Sequence, residues 1–69
     1  MKPSRKPLVN WCRWHECTLR IMGKDGAIVL GEVVHHYDDS SDPFRYDPTT
    51  WTLTVGDKTV QLDEMGVEQ

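Results

Sequence analysis

Cys12, His15 and Cys17 form a C-x-x-H-x-C run, and His35 and His36 follow some twenty residues later. Thiolate sulfur and imidazole nitrogen are the donors that zinc takes in tetrahedral geometry, and a structural metal would help a domain with little core. The spacing matches no standard zinc finger, however, and a complete site would bring a second ligand pair. Cys12, His15, Cys17 and His35 are therefore the residues from which a metal site would have to be built, and no metal or other cofactor is expected. Small buried thiols, with His15 capping nearby backbone, are the alternative use of the same residues. Neighbouring positions on a strand point to opposite faces, so His35 and His36 cannot both serve one site there, and one of them is expected to lie in solvent beside Asp38 and Asp39.

The second group with chemical content is acidic. Asp38, Asp39, Asp42 and Asp47 carry the oxygens calcium prefers, but the alternating aspartates and terminal glutamate of an EF-hand are missing. With Glu32 they are expected to form a surface for a basic partner. A third group mixes cations and rings: Arg5, Lys6, Arg13 and Arg20 with Trp11, Trp14, Tyr37, Phe44 and Tyr46. Arginines beside exposed aromatics are how single-stranded nucleic acid is held, which makes these four cations the contacts of an alternative RNA-binding function. The acidic remainder opposes that use, and Trp11 and Trp14 are instead expected to plug the end of a small fold. No serine, histidine and aspartate fall in a nucleophile elbow, and no glycine-rich phosphate cradle occurs, so catalysis is not expected.

These groups must be positioned by a single domain. The chain has 69 residues and a net charge of −3. That charge is split along the sequence: residues 1–24 hold Lys2, Arg5, Lys6, Arg13, Arg20 and Lys24 against Glu16 alone, and nearly all the acids follow. A basic arm followed by an acidic body points to a basic partner rather than to a broad DNA-binding face. "MKPSRKP" has no apolar stretch of signal-peptide length, and nothing later approaches the roughly 20 apolar residues of a membrane span, so a cytoplasmic address with reduced thiols is expected.

Residues 1–7, with two prolines and three basic side chains, read as a flexible basic arm, and residues 8–69 as the folded domain. "LVNWCRWHE" suits a short helical turn capped by Asn10. "CTLRIM" alternates as a half-buried strand, "GKDG" supplies the glycines of a tight reversal, and "AIVLGEVVHHY" is a second strand with Gly31 placed for a bend. "DDSSDPFRYDP", with Pro43 and Pro48, reads as an extended loop. "TTWTLTV" alternates strictly, "GD" is a two-residue hairpin turn, and "KTVQL" completes the pair. "DEMG" suits a helical turn before a last short strand at Val67. The pattern predicts a mainly β fold, a small, partly open antiparallel barrel of Sm-like or SH3-like type with a short N-terminal helical turn. Its expected core is Leu19, Ile21, Ile28, Leu30, Val33, Trp51, Leu53, Val55, Val60 and Leu62.

"TLRIMGKDGAIVLGEVV" resembles the opening of an Sm-like domain, where a strand, a K-D-G turn and a strand ending in a glycine motif precede an acidic position. "CRWHECTLRIMGKDGAIVLGEVV" followed by "VQLDEM" resembles more specifically the Rof family of Rho-binding antiterminators, over roughly residues 12–65. That resemblance implies a small barrel whose acidic surface covers the RNA-binding face of the hexameric termination factor Rho. The long "DDSSDPFRYDPTT" segment and the proline-containing basic arm depart from the family pattern. "GAIVLGEVVHHY" and "TVQLDEM" are also similar to the type II dihydrofolate reductases. Their pore strand reads Val-Gln-Ile-Tyr, whereas here Val60, Gln61, Leu62 and Asp63 place a carboxylate where the tyrosine hydroxyl would be, which argues against that enzyme.

Overall fold

A computed structural model describes residues 3–69 of the chain. Met1 and Lys2, the start of the expected arm, lie outside the described residues. The fold is mainly β. Helix α1 (Lys6–Trp14) precedes β1 (Cys17–Asp25), β2 (Ile28–His35), β3 (Ser41–Asp47), β4 (Thr52–Val55) and β5 (Lys58–Gln61). The strands follow one another in a single antiparallel sheet of order β1-β2-β3-β4-β5. β1 and β5 are not neighbours in it, so the sheet stays open. No helix among the described residues is long and apolar enough to cross a membrane.

The helix starts earlier than the expected Asn10 cap. Pro7 stands in its first turn, where a missing N–H leaves nothing unsatisfied, and Ser4 Oγ accepts the Lys6 N–H at 3.1 Å. Asn10 is thereby a mid-helix residue. Leu8, Trp11 and Cys12, spaced i, i+3, i+4, are buried on one face. Ser4, inside the segment read as an arm, is tied down. The Ser4 N–H donates to the Pro48 carbonyl at 3.0 Å, and the Ser4 carbonyl accepts the Tyr46 hydroxyl at 2.7 Å. Burial, and then the neighbouring Asp47 charge, push the Tyr46 phenol up to about 12.

Of the two expected tight turns, one differs from expectation. Reversal between β1 and β2 is made by Gly26 and Ala27, because Asp25 already pairs with Ile28. Gly26 takes a positive φ of 62°, while Gly23 belongs to the strand beside a bulge that shifts the register between Ile21 and Gly23. The "GD" hairpin forms as expected, Gly56 having φ 60° at its first central position as a type II′ turn requires.

The larger correction is β3, read as a loop because of its proline. Phe44 and Tyr46 alternate with exposed Pro43 and Arg45, and the segment pairs with β2 from Val29↔Tyr46 to Val34↔Ser41. Pro43 is tolerated because its missing donor would point at Gly56, just beyond the end of β4. The Gly56 N–H donates to the Pro43 carbonyl at 2.8 Å, and the reciprocal bond is the one proline cannot make.

This pairing fixes which residues face the helix. Val29, Gly31, Val33 and His35 of β2 share a face with Phe44 and Tyr46, and the buried core is Leu8, Trp11, Cys12, Cys17, Val29, Val33, Phe44, Tyr46, Leu53 and Leu62. Leu19, Trp51, Val55 and Val60 lie against it, partly buried. Ile28 and Leu30, expected inside, fall on the outer face, because a strand apolar on both sides does not reveal its phase. Ile21, also expected inside, is 47% exposed, and the Phe44 ring occupies the space over Gly31 opposite it. Trp51 precedes β4 in a turn at φ 60° rather than beginning the strand, with its indole N–H buried and unpartnered.

The C-terminal segment folds back on the helix. Asp63 accepts the N–H groups of Met65 and Val67, Gly66 is buried, and the expected last strand is a single bridge between Leu62 and Glu68. Trp11 donates its indole N–H to Glu68 Oε1 at 2.9 Å, fastening this segment to α1.

Candidate functional site at one end of the sheet

Strand parity gathers polar side chains at one end of the core face. His35 ends β2, Asp42 lies near the start of β3, Val55 ends β4 and Lys58 starts β5. The register Val33↔Asp42, Phe44↔Val55 and Val55↔Lys58 puts them on the side that carries the helix. His15, just past the end of α1, and Glu68 complete the rim. Together with Trp11, Tyr37 and Val60 these residues enclose a cleft of about 310 Å³. That is room for one planar side chain or a small molecule, at the low end for ligand sites.

Two histidine–carboxylate pairs organise the cleft. His35 Nε2 lies 3.0 Å from Asp42 Oδ2, and His15 Nε2 lies 3.8 Å from Glu68 Oε1. The histidine rings also pair with aromatics. His15 lies over Trp11 with centroids 4.3 Å apart, and His35 lies 5.4 Å from Tyr37, which is 74% exposed. A second groove, lined by Trp14, His15, Gly66, Val67 and Glu68, shares His15 and Glu68 with the first. Trp14, expected to plug the fold, stands 69% exposed beside it, while Trp11 alone is buried.

The five acids expected to form one surface are divided. Asp42 lines the cleft, and Asp38 and Asp39 occupy the connection between β2 and β3 next to it. Asp38 accepts both the hydroxyl and the N–H of Ser40, which hold its carboxyl below the ordinary range, with a smaller contribution from His35. Asp39 adopts φ 57°. Glu32 stands on the outer face, accepting the Ser41 hydroxyl at 3.2 Å and paired across the sheet with Arg20. Asp47 lies five residues beyond Asp42 along β3, about 16 Å away at strand rise, and accepts the Thr49 N–H. The cations are likewise spread. Arg5 and Lys6 stand at the start of α1, Arg13 in its last turn and Arg20 on the sheet.

Cys12, His15, Cys17 and His35 do not converge on a ligand position. Cys17 Sγ donates to the Cys12 carbonyl at 3.2 Å, His15 turns to Glu68 and His35 to Asp42. Among the described residues no three histidine, cysteine or acidic side chains are arranged to hold a metal ion. His36 faces away from His35 and contacts the Thr18 hydroxyl at 2.6 Å. Burial raises both cysteine thiols above their ordinary range, and Cys12 is raised further by its contact with Cys17. Since the thiolate is the nucleophile, iodoacetamide should label native protein on the order of tenfold or more slowly than urea-unfolded protein. Equal rates would mean that the junction between α1 and β1 opens freely.

Lys58 and Glu68 were not singled out by sequence, and Tyr37 was read only as one of the aromatics beside the arginines. The distance of Lys58 and Glu68 from Asp42 along the chain hides them, and only the β3–β4–β5 register and the folded-back C-terminus bring them to it. His35 and Asp42 share a face once β3 is recognised as a strand. Comparison with family models, curated proteins and solved structures finds no match to this chain.

Proposed function

We propose that this chain is a noncatalytic regulatory binding protein that applies the acidic end of its sheet to a basic, nucleic-acid-binding surface of a protein partner. The observation that carries this reading is the state of the carboxylates. Among the described residues, none lies within 4.0 Å of a lysine or arginine nitrogen, and the contacts at ion-pair distance are His15–Glu68 and His35–Asp42. Asp38, Asp39, Asp42 and Glu68 thus keep their charge available for cations from outside, which favours rapid association with a basic surface. Resemblance to the Rof family makes hexameric Rho the specific candidate, with antitermination as the consequence of covering its RNA-binding face. The alternative RNA-binding use of Arg5, Lys6, Arg13 and Arg20 has no comparable cluster behind it.

Binding to purified Rho, followed by an optical biosensor at low and physiological salt, tests the proposal. Replacing Asp39 and Asp42 by asparagine should weaken binding about three- to tenfold, mainly through slower association, and added salt should mimic the change. Asparagine tolerates the left-handed backbone of Asp39, and leaving Asp38 intact preserves its bonds to Ser40. No retention of Rho, or tight binding of single-stranded RNA in its place, overturns the reading.

A further inference from the structure

We infer that the cleft is a seat for one arginine side chain of the partner protein, a guanidinium held between two carboxylates and two aromatic pairs. The inference rests on the partner-binding reading above and adds the chemistry of the contact. Trp11 with His15 and Tyr37 with His35 are the two aromatic pairs among the residues that line it. Glu68 and Asp42 supply the negative charge. Each commits one oxygen within the cleft, Glu68 Oε1 to the Trp11 indole at 2.9 Å and Asp42 Oδ2 to His35 at 3.0 Å. No hydrogen bond among the described residues reaches Glu68 Oε2 or Asp42 Oδ1, so each carboxylate keeps an acceptor for a donor from outside.

The chemistry of the occupant follows. An anion is disfavoured because both carboxylates face it and both imidazoles already contact a carboxylate. A guanidinium matches on three counts: its charge, its five N–H donors fixed in one plane, and its flat face, which stacks on aromatic rings. An ammonium offers the same charge but neither the plane nor the stacking surface. Among the described residues, Lys58 is the one lysine or arginine that lines the cleft, and it lies beyond 4.0 Å of either carboxylate. It opposes the incoming charge, so its removal strengthens binding.

The probe is N-acetylarginine methylamide, titrated into the full chain while backbone and indole N–H resonances are followed by NMR. The Trp11 indole and the Tyr37 and His35 signals should move together. The citrulline analogue, equal in shape but neutral, should leave them in place, and the lysine analogue should bind several-fold more weakly. Glu68→Gln retains an acceptor for the indole and should lower affinity about tenfold, the scale of one charge-assisted bond made neutral. Lys58→Gln should raise it. Equal response to citrulline, or affinity unchanged in Glu68→Gln, overturns the guanidinium seat. Rho retained equally by wild type and Glu68→Gln, with no response to the arginine probe, removes the seat and leaves the partner reading standing. A specific response to the probe without retention of Rho does the reverse.

Discussion

Gly31→Ala should shift the urea unfolding midpoint sharply downward or abolish the cooperative transition altogether. A Cβ at this position would run into the Arg20 carbonyl oxygen and stand 2.9 Å from the Phe44 ring. The first contact is with backbone, so no rotamer change relieves it. β1 and β2 approach closely here, where Ile21 pairs with Gly31 and the register shifts between Ile21 and Gly23. Overpacking of this kind costs about 1–3 kcal/mol or more, and a domain of this size has only about 3–5 kcal/mol in reserve. Circular dichroism during urea titration is the check. A sharp transition at the wild-type midpoint would mean that the strands part at little cost, and that their close approach does not depend on glycine. Gly23→Ala, where a Cβ meets nothing within 4 Å, is the matched control and should change stability little.

Gly31 was read as the place for a bend or bulge; the structure shows a close backbone approach there and a register shift in the partner strand between Ile21 and Gly23. The β4–β5 hairpin was legible in the sequence, where strict alternation and a glycine-led turn agree. β3 was hidden by a strong local signal. Proline argues against a strand on average, but the position of Pro43 opposite the end of β4 is a property of the register, which is nonlocal. Loss of β3 carried other consequences. Phe44 and Tyr46 were left out of the core, and without them the inward phase of β2 was open, which is how Ile28 and Leu30 displaced Val29. The candidate site suffered in the same way. Asp42 and His35 were both singled out, but as members of separate groups, an acidic loop and a metal set. Their pairing required the β2–β3 register, and the remaining carboxylate, Glu68, required a C-terminal segment whose route is set by Asp63 and Gly66.

Leu8→Ala is the second substitution from which a large loss is expected, and it bears directly on how the cleft is built. Leu8 is fully buried on α1, one turn before Trp11 and Cys12, although its place after a basic, proline-containing segment suggested the border of a flexible arm. Truncating a buried leucine costs about 2–5 kcal/mol, the spread depending on how far the cavity collapses. Against a reserve of similar size, the melting temperature should fall steeply or the transition disappear. Val9, the adjacent helical residue, is 44% exposed, and Val9→Ala should change stability by only a few tenths of a kcal/mol. Helix propensity cannot produce that contrast, because alanine is the better helix former at both positions. Equal small effects at Leu8 and Val9, measured by thermal melting, would detach the helix from the core. The functional consequence follows from the same geometry. Leu8 is among the buried residues that fix the helix carrying Trp11 and His15 on the sheet. A Leu8→Ala protein that still folds in the cold should therefore lose the coupled shifts of the Trp11 indole and Tyr37 on adding the arginine probe.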